Sequence, residues 1–297
     1  MSFVYHANAL AFGGVLRNPC CEVLPSKGLV LSPSGGEGSE TIHNFNYKGI
    51  ISFDEASVYV AGSQRGRYRN TIATVCIRNL NVLNMVKAEL LVARVTSEHL
   101  AADMRREAPC EEPQFTFEGS LLENVRIGGR AVDVKLDHSL YSRYATHSAL
   151  VKAFAEKASV DDEALGVTDK SADGDDTLAT RYGKRFCWPP ASTSKGAPSR
   201  NEVIRCSLVA NSDIAEADPD EDLNNEEKRR VIDRTKPVRR KGYIVRIADF
   251  GTMAIGEVVL KPHQRTVNML RFNLGSPHDG ELTFASTTTN GTDMYPP

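Results

Sequence analysis

The run ADPDEDLNNEE sets Asp218, Asp220 and Asp222 at alternating positions, the spacing at which carboxylate oxygens converge on a calcium ion. A helix-loop-helix calcium site also needs glycine at the sixth loop position, for the sharp turn, and a bidentate glutamate at the twelfth. Those positions hold Leu223 and Arg229, so that pattern fails. The three aspartates stand only as candidates for a weak calcium site in a solvated acidic loop.

The other reactive side chains assemble no chemistry. The seven histidines, at 6, 43, 99, 138, 147, 263 and 278, include no H-x-H or H-E-x-x-H pair to bring two rings onto one metal. GSPHDG sets Ser276, His278 and Asp279 together, but neighbours on a tight turn point in different directions. No G-x-S-x-G elbow occurs. SPSGGEGSE, residues 32–40, lacks the lysine and hydroxyl of a phosphate cradle and reads as a flexible loop. The six cysteines, at 20, 21, 76, 110, 187 and 206, show no C-x-x-C spacing; thiols are expected, with Cys76 and Cys206 as small core residues. No catalytic residue and no cofactor is expected. Trp188 in FCWPP, Tyr182 and Tyr141 are the aromatic candidates for lining a groove that binds a glycan or another protein.

Composition narrows the classes further. With 41% apolar and 25% charged residues the chain of 297 is an ordinary globular sequence, long enough to bury a sizeable core. A net charge of −2 gives no reason to expect nucleic acid as a partner. No run approaches the ~20 apolar residues of a membrane-spanning helix. MSFVYHANALAFGGVL has no basic residues ahead of its apolar ones, unlike a secretory signal, so the default expectation is cytoplasmic, with unconventional export to the cell surface as the other route.

The elements are mainly strands. TIATVCIRNLNVLNMVKAELLVARVTSEH, residues 71–99, is rich in β-branched side chains and predicts two strands, 71–82 and 86–96, broken at LNM. Its apolar residues fall on both faces of each strand, which predicts a sheet covered on both sides. Further strands are expected near 46–53, 57–61, 114–117, 121–127 and 131–136, with Gly128-Gly129 as a hairpin turn. Beyond them come 202–210, 242–250, 252–260, 265–275 and 280–287. SALVKAFAEKA, residues 148–158, predicts one helix with Ser148 as its N-cap. Residues 159–200 and 211–241 are polar loops, the second an acidic block followed by a basic one. One large antiparallel β-sandwich over 1–297 is therefore expected, with an N-terminal β region at 1–140 and a C-terminal one at 201–297. NLNVLN and LLENVRIGG suggest stacked rungs of a β-solenoid as the alternative, yet no fixed period runs along the chain.

The phrases YHANALAFGG, NLNVLNMVKAELLVARVTSEH, FEGSLLENVRIGG and the ending LGSP…NGT are similar to bacterial β-rich proteins of the "choice-of-anchor" surface type. That resemblance implies a β-rich scaffold with a surface or assembly role, and it carries no functional residues over. The expected function is a non-catalytic structural subunit, a homo-oligomer or filament whose core contains residues 71–96 and whose contact is tuned by the charged loop 213–241. The alternatives are a glycan- or protein-binding module and an enzyme whose site is assembled in space.

Overall fold

The structure, a computed structural model, describes residues 3–18, 21–100, 112–158, 204–214, 238–241, 243–261, 264–275 and 278–290. In chain order its elements are β1 (Ala7–Leu16), β2 (Glu22–Val23), β3 (Lys27–Val30), β4 (Gly36–Tyr47), β5 (Ile51–Arg65), β6 (Tyr68–Val82) and β7 (Val86–Leu100). Short strands follow: β8 (Gln114–Thr116), β9 (Leu121–Glu123), β10 (Val125–Ile127), β11 (Arg130–Val132) and β12 (Val134–Leu136). Helices α1 (Ser139–Arg143) and α2 (His147–Ala158) precede β13 (Ile204–Ser207), β14 (Val209–Ser212) and β15 (Val238–Lys241). The chain then runs through β16 (Ile244–Ile247), β17 (Gly251–Lys261), β18 (Gln264–Leu274) and β19 (Gly280–Asn290).

These strands form an antiparallel β-sandwich. One sheet runs β15-β16-β17-β18-β19-β1-β2, with β3 also on β1 and β13 on β17. The other runs β11-β10-β7-β6-β5-β4, with β8 and β9 on β7. The sheets face each other, β19 against β6 and β7, β1 against β5 and β6, and β18 against β7. The layer that covers residues 71–96 is thus the chain's own second sheet. Phe12 of β1 and Phe53 of β5 meet edge to face across it, with ring centroids 5.4 Å apart. Each such fully buried ring contributes about 1.5–3 kcal/mol relative to exposure.

Tight hairpins order the second sheet. Leu83 and Asn84 both take positive φ (52° and 53°) between β6 and β7, and Gly128 and Gly129 do so (58° and 83°) between β10 and β11. Two such residues in succession match the right-handed twist of the strands they join.

The strands do not alternate uniformly, and this corrects the expectation of a sheet covered on both sides. In β6 the buried residues are Thr71, Ala73, Val75 and Ile77, then Leu80 and Val82. In β5 they are Ile51 and Phe53, then Ala56, Val58, Val60 and Gly62. The phase slips by one residue along a line across the sheet. Asn44 (φ 52°), Asn79 (φ 55°) and Asn124 (φ 50°) lie on that line, each in the left-handed region that Asn tolerates. A slip midway makes apolar residues seem to occupy both faces when the sequence is counted as one strand. One face is core; on the other Arg78 and Asn79 are exposed and Thr74 and Cys76 half-exposed.

Other boundaries moved as well. Residues 36–40 of the expected flexible loop belong to β4, and 46–53 and 57–61 belong to β4 and one unbroken β5. The span 121–127 divides at Asn124 into β9 and β10. The helix begins one residue early, and its cap is Thr146, whose Oγ1 accepts from the Ala149 amide at 3.1 Å; Ser148 instead bonds Glu112. A second helix, α1, accompanies it. The ends of the loop expected at 211–241 are strand residues of β14 and β15. Cys21, Cys76 and Cys206 are thiols; Cys206 is buried, while Cys76 is only half-buried.

Candidate functional site

Asp218, Asp220, Asp222, Trp188 and Tyr182 lie outside the described residues. Tyr141 lies inside them and does not line a groove. Its ring is fully buried and meets Phe117 edge to face at 5.0 Å. Its hydroxyl donates to the Ser207 carbonyl at 3.0 Å and touches Cys206 Sγ at 3.0 Å. Tyr141 therefore docks α1 onto β13, because a buried phenol needs a polar partner for its one hydroxyl. Among the described residues no group of three or more His, Cys, Asp or Glu is placed to hold a metal. Among them, too, no helix is long and apolar enough to cross a membrane.

What stands open is an edge. β4 is 12 residues long and pairs with β5 from Gly36↔Gly62 to Tyr47↔Ile51. Among the described residues no strand pairs with its other side. Alternate backbone N–H and C=O groups face outward along that side up to His43, before the slip at Asn44, which is a template for another strand. The usual defences against pairing are sparse. β4 carries no proline and no lysine, and its charged residues are Glu37, Glu40 and, when protonated, His43.

Ion pairs hold this edge in shape and tie it to the neighbouring sheet. Lys48, in the turn after β4, donates to Glu22 of β2 at 2.6 and 2.7 Å, and the Tyr47 hydroxyl donates to the same carboxylate. Lys48 and then Tyr47 hold the Glu22 carboxyl below its ordinary range, and Glu22 in turn raises the Tyr47 phenol. Lys27 of β3 reaches Glu40 at 3.4 Å. On the outer face His43 Nδ1 lies 3.5 Å from Glu55, and Arg78 Nε lies 3.8 Å from the same residue. Beside the edge, Val23 and Val30 are 78% and 67% exposed, an unusual degree for valines in strands.

A second surface feature is polar. Asn79, Asn81, Lys87, Glu89, Asn124 and Arg126 line a shallow concavity on the outer face of the same sheet. Asn124 Nδ2 donates to Glu89 Oε2 at 2.5 Å, and Asn79 Nδ2 to Asp54 Oδ2 at 2.7 Å. The phase-slip line thus also fixes amide–carboxylate pairs on the surface.

The model of a domain of unknown function, DUF8256, matches residues 3–261. The chain belongs to the DUF8256 family. The match takes in β1 through β17, so it spans the whole of the sheet that carries β4 and the opposite sheet up to β17. β18 and β19, which join β17 to β1 in that opposite sheet, follow the DUF8256 match. No curated protein and no solved structure matches the chain.

Proposed function

We propose that the chain is a non-catalytic structural subunit that joins a second copy of itself edge to edge through β4. The observation that carries this reading is the open side of β4, long, in register with β5 throughout and lightly defended. Residues 71–96 lie in the core of the subunit rather than at the contact. β6 pairs with both β5 and β7, and β7 with β6 and with β8, β9 and β10, so their backbone groups are already engaged. The assembly contact accordingly falls to the edge strand of that sheet.

Symmetry selects how two edges meet. Two copies related by a two-fold axis perpendicular to the sheet place one residue opposite its own counterpart. Centring on Glu40 sets carboxylate against carboxylate, which is unfavourable. Centring on Thr41 sets threonine against threonine, Ser39 against His43 and Glu40 against Ile42, with no like charges opposed. Thr41 is exposed, on the outer face of β4.

The test is the mass of the particle in solution. Light scattering or sedimentation of the wild-type chain gives two copies or a multiple, Thr41→Val keeps them, and Thr41→Lys, which opposes two ammonium groups, gives one chain. A one-chain mass for the wild type at high protein concentration overturns the reading.

A further inference from the structure

At the end of the sandwich where β18 begins, the core turns polar. Arg265 is inward-facing and 1% exposed, between Leu260 of β17 and Thr289 of β19. Its Nη1 donates to the carbonyl oxygens of Lys261 and, at 3.2 Å, Gln264. The guanidinium carbon sits 5.0 Å from the Phe115 ring centroid, so an aromatic face supports the cation. Nε and Nη2 are buried and have no hydrogen-bond partner among the described residues. Glu112, the carboxylate that acts on Arg265 electrostatically, accepts instead from the Ser148 amide at 2.8 Å and from the Ser148 hydroxyl.

The orphan atoms form a pattern. Nε–H and Nη2–H are parallel donors on one edge of the guanidinium plane, the edge that grips two oxygens of a carboxylate or phosphate at once. Thr287, opposite Val267, two residues before Thr289 on β19 and on the same inner face, also has a buried hydroxyl with no hydrogen-bond partner among the described residues. Thr289 is already committed, at 2.7 Å, to Ser97 of the facing sheet. A buried cation with two idle donors is costly unless something pairs with them. Burial brings the Arg265 pKa down to about 10, which leaves the group charged at neutral pH.

We propose that Arg265 and Thr287 form an internal anion site, in which the Nε/Nη2 edge and the threonine hydroxyl receive the oxygens of a small carboxylate or phosphate ligand. The site is separate from the β4 edge and independent of the assembly reading.

Thermal unfolding tests it, with sodium phosphate, sodium acetate and sodium chloride compared at equal ionic strength. Phosphate strengthens burial in any protein, so the comparison with variants decides. The wild type gains about 2–4 °C in Tm over chloride with at least one of the two anions. Arg265→Lys, which keeps the charge but loses the two-donor edge, gains no more than the general salt effect, and Thr287→Val gains an intermediate amount. Protection by phosphate alone assigns a phosphate ligand, and protection by acetate alone a carboxylate. Equal gains in the wild type and Arg265→Lys, or no gain over chloride in the wild type, overturn the proposal.

Discussion

Asn79 donates from its side-chain amide to Asp54 at 2.7 Å, and the two residues sit where β5 and β6 both slip phase. The bond joins a left-handed residue to the strand beside it, so the slip is fixed by a side chain as well as by the backbone. Left-handed conformations cost asparagine little and β-branched residues a great deal. Asn79→Val is expected to lower stability by about 1–3 kcal/mol, whereas Asn79→Gly, which loses only the amide bond, costs under about 1 kcal/mol. Urea unfolding of the two variants measures the difference. Equal losses contradict a backbone role.

Glu257 of β17 is 1% exposed and accepts from Arg271 Nε at 2.9 Å, Arg271 Nη2 at 2.7 Å and Asn268 at 3.0 Å. Its carboxylate is therefore satisfied by a planar two-pronged donor and an amide, the arrangement that makes a buried charge tolerable. The Arg271 side chain is 30% exposed, so removal of Glu257 leaves its charge partly solvated. Glu257→Ala is expected to cost about 1–3 kcal/mol, and the double variant Glu257→Ala/Arg271→Met less than the sum of the two single changes. Additive losses in denaturant unfolding contradict the pairing.

The strap from β2 to the β4–β5 turn is sensitive to acid. Lys48 and Tyr47 lower the Glu22 pKa in the folded chain, so folding favours the carboxylate. The stabilisation is present above the ordinary glutamate value and disappears as pH falls through the lowered one. The Tm gap between wild type and Glu22→Gln is therefore expected at neutral pH and closes on acidification below about pH 4. A gap that stays constant with pH contradicts the ion pair.

Much of this fold was legible in the sequence, and the failures have physical causes. The hairpin of β6 and β7 announces itself through β-branched residues around Leu83-Asn84, because there local preference and burial agree. β4 was partly hidden, since GEGSETIHNFNY has weak strand propensity at its start and is held by its pairing with β5. Asn79 interrupts a count of alternation without interrupting the strand. Tyr141 carried no sign of its burial, which depends on contacts far along the chain, with Phe117 and with Cys206 and Ser207. Arg265 did leave a trace. Val267 and Met269 face inward, and the same period of two puts Arg265 on the core side, where a charge needs a reason.

The central claim is that two copies meet through β4 about Thr41, and a cross-link reads that register directly. Opposed residues in an antiparallel pair lie about 4.5–5.5 Å apart between Cα atoms, within disulfide reach. Residue 39 is displaced from its own counterpart by about four residues, or roughly 13 Å along the strand. Under mild oxidation Thr41→Cys is predicted to give a reducible covalent dimer, while Ser39→Cys and the unsubstituted chain stay as single chains. A Thr41→Cys chain that remains monomeric on a non-reducing gel, or a Ser39→Cys chain that links equally well, contradicts the account.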